Sequence, residues 1–284
     1  MIARQARRLL CSLLPTDACC DNRFTTNAVS HFFSRISLTI LFCLALCTLS
    51  IGQTPASTPD ANLTPTQLEI QGDDLRQQKM FADAIDRYRL AIKKGGDTAS
   101  IHNKLGYTEM RRLHYDAARK EFERAVKLDR HFAGAYNNLG ALEYFRGKYG
   151  RAIDAYRHAL QIEGGMAMYH KNLANAYLAH EDYDKAVEEY STAVKLDPTI
   201  FEPGKGEGSL IDPTTASDPG RYYYTVAKSM AKIGDLNRCY TFLKRSMEED
   251  ASVTKKVVKD PDFATALKDP RFVELLKNPP TPLH

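Results

Sequence analysis

The residues of this sequence that could do chemistry are few, and they are not spaced for a reaction. Residues 204–209 read GKGEGS, a composition that suits a phosphate-binding loop, but the G-x-x-x-x-G-K-[ST] spacing is absent and no strand precedes them. The eight histidines form no HExxH motif and no Cys/His ligand set. The sequence therefore predicts no catalytic, cofactor-binding or metal-ligating residue, and no cofactor.

Small and aromatic residues recur with a period of 34 residues, which points to the elements that organise the chain. Alanines stand at positions 84, 118, 152 and 186, and a second alanine follows each of them seven residues later. Between the two alanines lies an aromatic residue, and twelve residues before the first lies a small one: Gly72, Gly106, Gly140 or Ala174. A fixed period of this length predicts helical repeat units that bury their apolar faces against one another.

These columns resemble the tetratricopeptide repeat over residues 65–200. The resemblance implies an all-α, right-handed α-solenoid of helix hairpins. In the third unit it predicts helices over 133–146 and 149–161, joined at Gly147 because glycine permits a tight turn. The small residues Gly140 and Ala152 would let these two helices cross closely. The predicted units are 65–98, 99–132, 133–166 and 167–200.

The 34-residue spacing breaks after Ile200. Residues 201–219 are rich in Gly and Pro and are predicted to be an inserted loop. Residues 220–253 resemble a degenerate fifth unit, in which Cys239 replaces the first alanine and is expected to be a packed residue and not a nucleophile.

The C-terminal residues 254–284 are predicted to form a helical cap. Two similar segments each contain an aspartate followed by a proline, at Asp260 and Asp269, which suits a helix N-terminus. Their apolar residues would cover the last unit, as solenoids require. These residues are Phe263, Leu267, Phe272 and Leu275.

The first helices of successive units would line a concave groove, and their exposed polar positions are candidates for binding a peptide. Asparagine amides offer both a donor and an acceptor to a peptide backbone, and tyrosines add apolar area. The alternative is a solvated face without a ligand. The candidates are Asn103, Tyr107, Asn137, Asn138, Tyr144, Lys171, Asn172 and Asn175, with Tyr224 and Lys228 in the late unit. His102 and His170 share one position in the repeat, where we expect them to fill space between helices.

We expect a non-catalytic protein–protein interaction scaffold of the cell envelope that binds a peptide segment or partner protein in this groove. The alternative is a structural subunit of an envelope, secretion or assembly complex, contacted through the convex face or the loop at 201–219. An enzyme is disfavoured because repeats and cap occupy nearly all of the body of the chain.

The N-terminal residues 1–52 are predicted to be a signal peptide or a membrane anchor. Residues 36–52 are uncharged and apolar, Arg35 precedes them, and the small residues Ser50 and Gly52 suit cleavage before Gln53. The run is slightly shorter than a membrane span of about 20 residues, so an uncleaved tether is the alternative. Residues 53–64 have the composition of a linker. We expect an exported protein, periplasmic or secreted, or one anchored in the inner membrane with its repeats outside the cytoplasm.

The net charge of +4 gives no reason to expect nucleic-acid binding. Five arginines and two aspartates in residues 1–52 account for +3 of it, so the body is almost neutral. The sequence does not indicate an oligomeric state.

Overall fold

The computed structural model describes residues 60–202 and 218–283, and in these ranges all regular secondary structure is helical. The compact unit Leu63–His284 contains the repeats. Its first-position helices are α1 (Pro65–Gln77), α3 (Ala99–Arg111), α5 (Ala133–Phe145), α7 (Ala167–Ala179) and α9 (Pro219–Ile233). Their partners are α2 (Phe81–Lys93), α4 (Tyr115–Leu128), α6 (Tyr149–Ile162), α8 (Tyr183–Leu196) and α10 (Leu236–Glu249). The predicted all-α solenoid of helix hairpins is confirmed.

The turn inside each hairpin places one residue in the left-handed backbone region. Gly147 and Gly234 do so with φ of 70° and 83°, as glycine allows without strain. Lys79, Leu113 and Glu181 adopt the same conformation with φ between 61° and 67°. A side chain in this region costs roughly 1–2 kcal/mol, so the packing of the two helices must impose the turn where no glycine is present.

The small residue in the first helix of a repeat is explained by an aromatic ring on the second helix of the same hairpin. A Cβ atom on the glycine would lie 2.5–2.8 Å from ring carbons of the partner helix, much closer than real contacts allow. In these three hairpins, close packing of the two helices therefore leaves no room for a side chain at that position. The pairs are Gly72 with Tyr88, Gly106 with Phe122 and Gly140 with Tyr156.

The fifth hairpin is followed by short helices that cover it: α11 (Val253–Val257), two 3₁₀ turns (Pro261–Phe263 and Ala266–Lys268) and α12 (Pro270–Lys277). The Asp260 and Asp269 carboxylates accept hydrogen bonds from backbone N–H groups at the starts of two of these elements. Phe263 and Phe272 are completely buried. These contacts remove the apolar end of the solenoid from water.

Cys239 is fully buried in α10. Burial raises the pKa of its thiol to about 12, so the thiolate that would act as a nucleophile does not form at neutral pH. The residue acts as a small packing group in the alanine column.

Three predicted segments lie outside the described residues: the leader 1–52, most of the linker 53–64 and most of the inserted loop, including residues 204–209. Within the part of the chain that the structure describes, no helix has both the length and the apolar character needed to cross a membrane.

Candidate functional site

A pocket of about 320 Å³ lies on the face formed by the first helices of hairpins one to four. We call it the groove pocket. Helix periodicity puts its lining residues on one side of each helix, because positions three or four apart share a face. The lining residues are Arg76, Asn103, Lys104, Tyr107, Gly134, Asn137, Asn138, Met166, Met168 and Tyr169.

Four asparagines connect three first helices through a chain of side-chain hydrogen bonds. The Asn172 amide donates to Asn137 Oδ1 at 2.9 Å, Asn137 donates to Asn138 Oδ1 at 3.4 Å, and Asn138 donates to Asn103 Oδ1 at 2.8 Å. Bonds that point in one direction polarise one another. Within the described residues, the chain ends in the groove pocket at the Asn103 Nδ2 group, which donates to no other side chain or backbone group. This amide is available to a carbonyl oxygen of a ligand.

The charges around the groove pocket are compensated internally. Lys104 Nζ lies 2.7 Å from Glu69 and 2.6 Å from Asp73, and Arg76 lies 3.4 Å from Asp73. Burial alone would raise the pKa of Asp73, but the hydrogen bonds from Lys104 and Tyr88 outweigh it and lower the pKa. A ligand with its own charge would have to compete with these pairs, so the pocket favours an uncharged group.

Three of the predicted peptide-binding residues line the groove pocket and are partly exposed: Asn103, Tyr107 and Asn138. Asn137 also lines it, but only 5% of its surface is exposed because its amide is engaged on both sides in the asparagine chain. The structure thus brings together side chains of α3 and α5 from the predicted set. Whether they bind a peptide stays a prediction.

The expectation that all eight candidates are exposed was wrong for Asn137 and also for Lys171, Asn172 and Asn175, which are 8%, 1% and 4% exposed. First helices meet the next unit along this row, and polar groups buried there need partners. Asn172 pairs in the asparagine chain, and Asn175 Oδ1 accepts a hydrogen bond from the Tyr190 hydroxyl. Lys171 Nζ donates to the Ile200 carbonyl at 3.1 Å, and burial lowers its pKa.

Three other groove candidates lie away from the groove pocket. Tyr144 is half-buried with its ring 5.4 Å from that of Tyr149. In α9, the Tyr224 hydroxyl donates to Asp260 at 2.8 Å and Lys228 Nζ lies 3.0 Å from the same carboxylate. The cap therefore pairs with both side chains, which also line a separate pocket of about 350 Å³ between α9 and its neighbours.

Sequence reasoning missed Gly134, Met166 and Tyr169 in the groove pocket. Gly134 lies in the first turn of α5, where the repeat needs no glycine, and this was the signal available in the sequence. Met166 and Tyr169 flank the start of α7, and only the tertiary structure brings that start against α5.

We expected His102 and His170 to fill space between helices. In the structure they also form hydrogen bonds with carboxylates. Both ring nitrogens of His102 lie 2.6 Å from carboxylates, of Glu121 and Asp97, and His170 Nδ1 lies 2.6 Å from Glu189. Each histidine therefore joins its first helix to its own partner helix by a side-chain hydrogen bond. In the described ranges, no cluster of three or more His, Cys, Asp or Glu side chains is arranged to hold a metal ion.

Comparison with known families identifies the repeat. Two family models, each described as "Tetratricopeptide repeat", match residues 103–167 and 167–200. Residues 103–200 of this chain are tetratricopeptide repeats. The hairpins at α1–α2 and α9–α10 extend the matched region in both directions with the same helix arrangement. No curated protein matches the sequence.

Solved structures similar to this tetratricopeptide-repeat chain share its fold at low sequence identity. The structure described as "Functional Characterization of Pseudomonas Aeruginosa pilF" has a TM-score of 0.51 at 16% identity, covering 75% of this chain and 90% of that one. A crystal structure of MamA has a TM-score of 0.46 at 23% identity, covering 66% and 97%. The first repeat domain of Spaghetti (RPAP3), bound to an HSP90 peptide, has a TM-score of 0.40 at 20% identity, covering 42% and 96%. At 16% identity, the likeness to the pilF structure shows the fold alone.

Proposed function

We propose that this protein is a non-catalytic scaffold whose groove pocket binds an extended segment of a partner protein. Tetratricopeptide repeats generally mediate protein–protein interactions. The observation that carries the proposal is the asparagine chain, which ends at an unpaired amide of Asn103 inside a pocket formed by four first helices.

The chemistry of the groove pocket suits a peptide in extended conformation. Asn103 Nδ2 donates to a backbone carbonyl of the segment, and Tyr107 contributes apolar contact beside it. One amide hydrogen bond stabilises such a complex by about 0.5–1.5 kcal/mol, so the apolar contacts must supply most of the affinity.

The test compares variants of the full chain against a partner isolated by it in a pull-down. Asn103→Ala and Tyr107→Ala are expected to weaken binding by a factor of about 2 to 10 each, measured by calorimetric titration. Asn278→Ala removes an exposed amide directly after the end of α12. It is the matched control and should leave affinity unchanged. Equal affinity in all variants would move the binding surface to the convex face or to the loop at 201–219.

We also propose that the protein acts outside the cytoplasm, as a soluble periplasmic or secreted form or tethered to the inner membrane. The apolar residues 36–52 behind Arg35 support export. N-terminal sequencing of protein from a native-like host should begin at Gln53. An intact leader in the membrane fraction would support the tether, and an intact leader in the soluble cytoplasmic fraction would contradict export.

A further inference from the structure

Gly134 is the second residue of α5, and the fold does not need a glycine there. Its φ is not in the left-handed region, and an added Cβ would meet only the Phe132 ring at 3.5 Å and the Tyr169 hydroxyl at 4.0 Å, which are ordinary contacts. Gly140, on the same helix, has no such room because a Cβ would lie 2.7 Å from the Tyr156 ring. A helical glycine is less favourable than alanine, so Gly134 lowers helix stability without a packing reason.

What the missing side chain provides is space in the groove pocket. The equivalent positions of the other regular units, 34 residues apart, carry side chains: Thr66, Ser100 and Met168. The opening above Gly134 is bordered by Met166, Met168 and Tyr169. Methionine side chains are flexible and polarisable, and they adapt to apolar groups of different shape.

The polar groups next to this opening decide which kind of side chain it accepts. Lys104 is already paired with two carboxylates and Arg76 with one of them, so no uncompensated charge of these two cations faces a ligand. A charged side chain would lose hydration without gaining a free counter-ion.

We propose that the space above Gly134 is a specificity pocket for an uncharged apolar side chain, such as Leu, Met or Phe, of a bound extended segment. Asn103 holds the backbone of that segment, and Gly134 determines which side chain fits. The inference rests on the proposed function and names the partner class: a neutral segment with one apolar anchor residue.

The test begins with a phage library of random dodecapeptides selected on the full chain. Selected sequences are then synthesised with acetylated and amidated ends, and their affinities are measured by fluorescence anisotropy. Selected peptides should share one Leu, Met or Phe with uncharged neighbours. Changing this residue to Ala should weaken binding by at least about tenfold.

The decisive variant is Gly134→Met, which fills the pocket from the protein side. It should weaken binding by at least about tenfold. Gly150→Met is the matched control, because Gly150 is the second residue of α6, is exposed, and a Cβ there meets nothing within 4 Å. This control should bind as the unchanged protein does, and both variants should melt at the same temperature or higher. Gly134→Ala, which adds one methyl group, should show a smaller loss of binding with a higher melting temperature.

Selected peptides that share an acidic residue, or Gly134→Met binding as tightly as Gly150→Met, would overturn the specificity pocket. If such peptides still bound the Asn103→Ala variant more weakly than the unchanged protein, the proposed function of the groove would stand without the specificity pocket. Peptides that bind Asn103→Ala, Tyr107→Ala and Gly134→Met equally well would overturn both proposals, as would a selection that enriches no peptide.

Discussion

The second hairpin and the fifth hairpin put equivalent positions to opposite uses. Asn103 and Tyr107 lie three residues before and one residue after the small residue of α3, and both open onto the groove pocket. Tyr224 and Lys228 hold the same two positions in α9, where both bind the cap through Asp260. A position in the repeat therefore selects the face of the helix, and the neighbouring element decides which partners the side chains on that face have.

A second difference lies in how the two regions are stabilised. Each regular hairpin packs a glycine or alanine against an aromatic ring and stacks on the hairpins next to it in the chain. The fifth hairpin depends on irregular short helices and on the buried rings of Phe263 and Phe272. Because units of a solenoid contact only their neighbours, damage to the cap should stay local.

The largest effect is expected from Phe272→Ala. This ring is fully buried and stands edge-on to the ring of Tyr240, with centroids 5.6 Å apart. Its loss should lower the free energy of unfolding by about 3–5 kcal/mol. Hydrogen exchange should show lost protection in α9, α10 and α12 and retained protection in α1–α4. Val273→Ala, at a largely exposed position, is the control. Uniform loss of protection along the chain would show that the two regions unfold together.

Ala152→Leu should disturb the regular hairpins by overpacking. Ala152 is completely buried in α6, so the three added carbons should lower the free energy of unfolding by about 1–3 kcal/mol. Ala141, in the first helix of the same hairpin, is only 2% exposed and cannot serve as a mild comparison. Gly150→Leu is the better control. Thermal melts followed by circular dichroism should separate the two variants, and equal losses would mean that the packing of α6 is misassigned.

Asp260→Asn should weaken the contact between cap and α9 by about 1–3 kcal/mol. Burial raises the pKa of Asp260, but the hydrogen bonds from Tyr224 and Lys228 prevail and the pKa lies below 3.8. A lowered folded-state pKa gives stability that is present above 3.8 and lost as the pH falls through the folded value. Urea unfolding should therefore show a larger difference between wild type and Asp260→Asn at pH 7 than at pH 3. Asp154→Asn, at an exposed position in α6, should show no difference at either pH.

The smallest effect is expected from His102→Gln in the second hairpin. Burial lowers the pKa of His102, but hydrogen bonds to Glu121 and Asp97 outweigh it and raise the pKa above 6.5. Arg124 also faces this site, bound to Asp97. A raised pKa gives stability that is present below 6.5 and lost as the pH rises through the folded value, so the wild type should exceed the variant by about 1 kcal/mol at pH 6 and by less at pH 9. A pH-independent difference between wild type and His102→Gln would mean that the contacts of His102 with Glu121 and Asp97 do not form.

Much of the fold could be read from the sequence because packing inside a hairpin is local. Gly140 and Tyr156 are separated by 16 residues, and their contact repeats in each regular unit, so one period reveals it. The predicted helix pair of the third unit differs from the observed one by a single residue at each C-terminus. Aspartate–proline pairs likewise marked the starts of two cap elements.

The candidate site was less accessible to the same reasoning because exposure depends on contacts between units. Asn138 and Asn172 hold the same position in successive repeats, yet Asn138 borders the groove pocket and Asn172 is 1% exposed. Helix periodicity places both asparagines on the same face of their helices. Only the neighbouring helices determine which amide is covered.

The sequence by itself determined that this chain folds as repeated helix hairpins. Small and aromatic residues recur every 34 residues, and this pattern indicates close packing between the two helices of each unit. The tertiary structure decided the direction of the asparagine chain, the open space above Gly134 and the contact of α9 with the cap. Each of these depends on side chains of different helices meeting, such as Asn138 with Asn103, 35 residues apart, and Tyr224 with Asp260, 36 residues apart. No local pattern encodes such a meeting, because it depends on how the intervening helices stack.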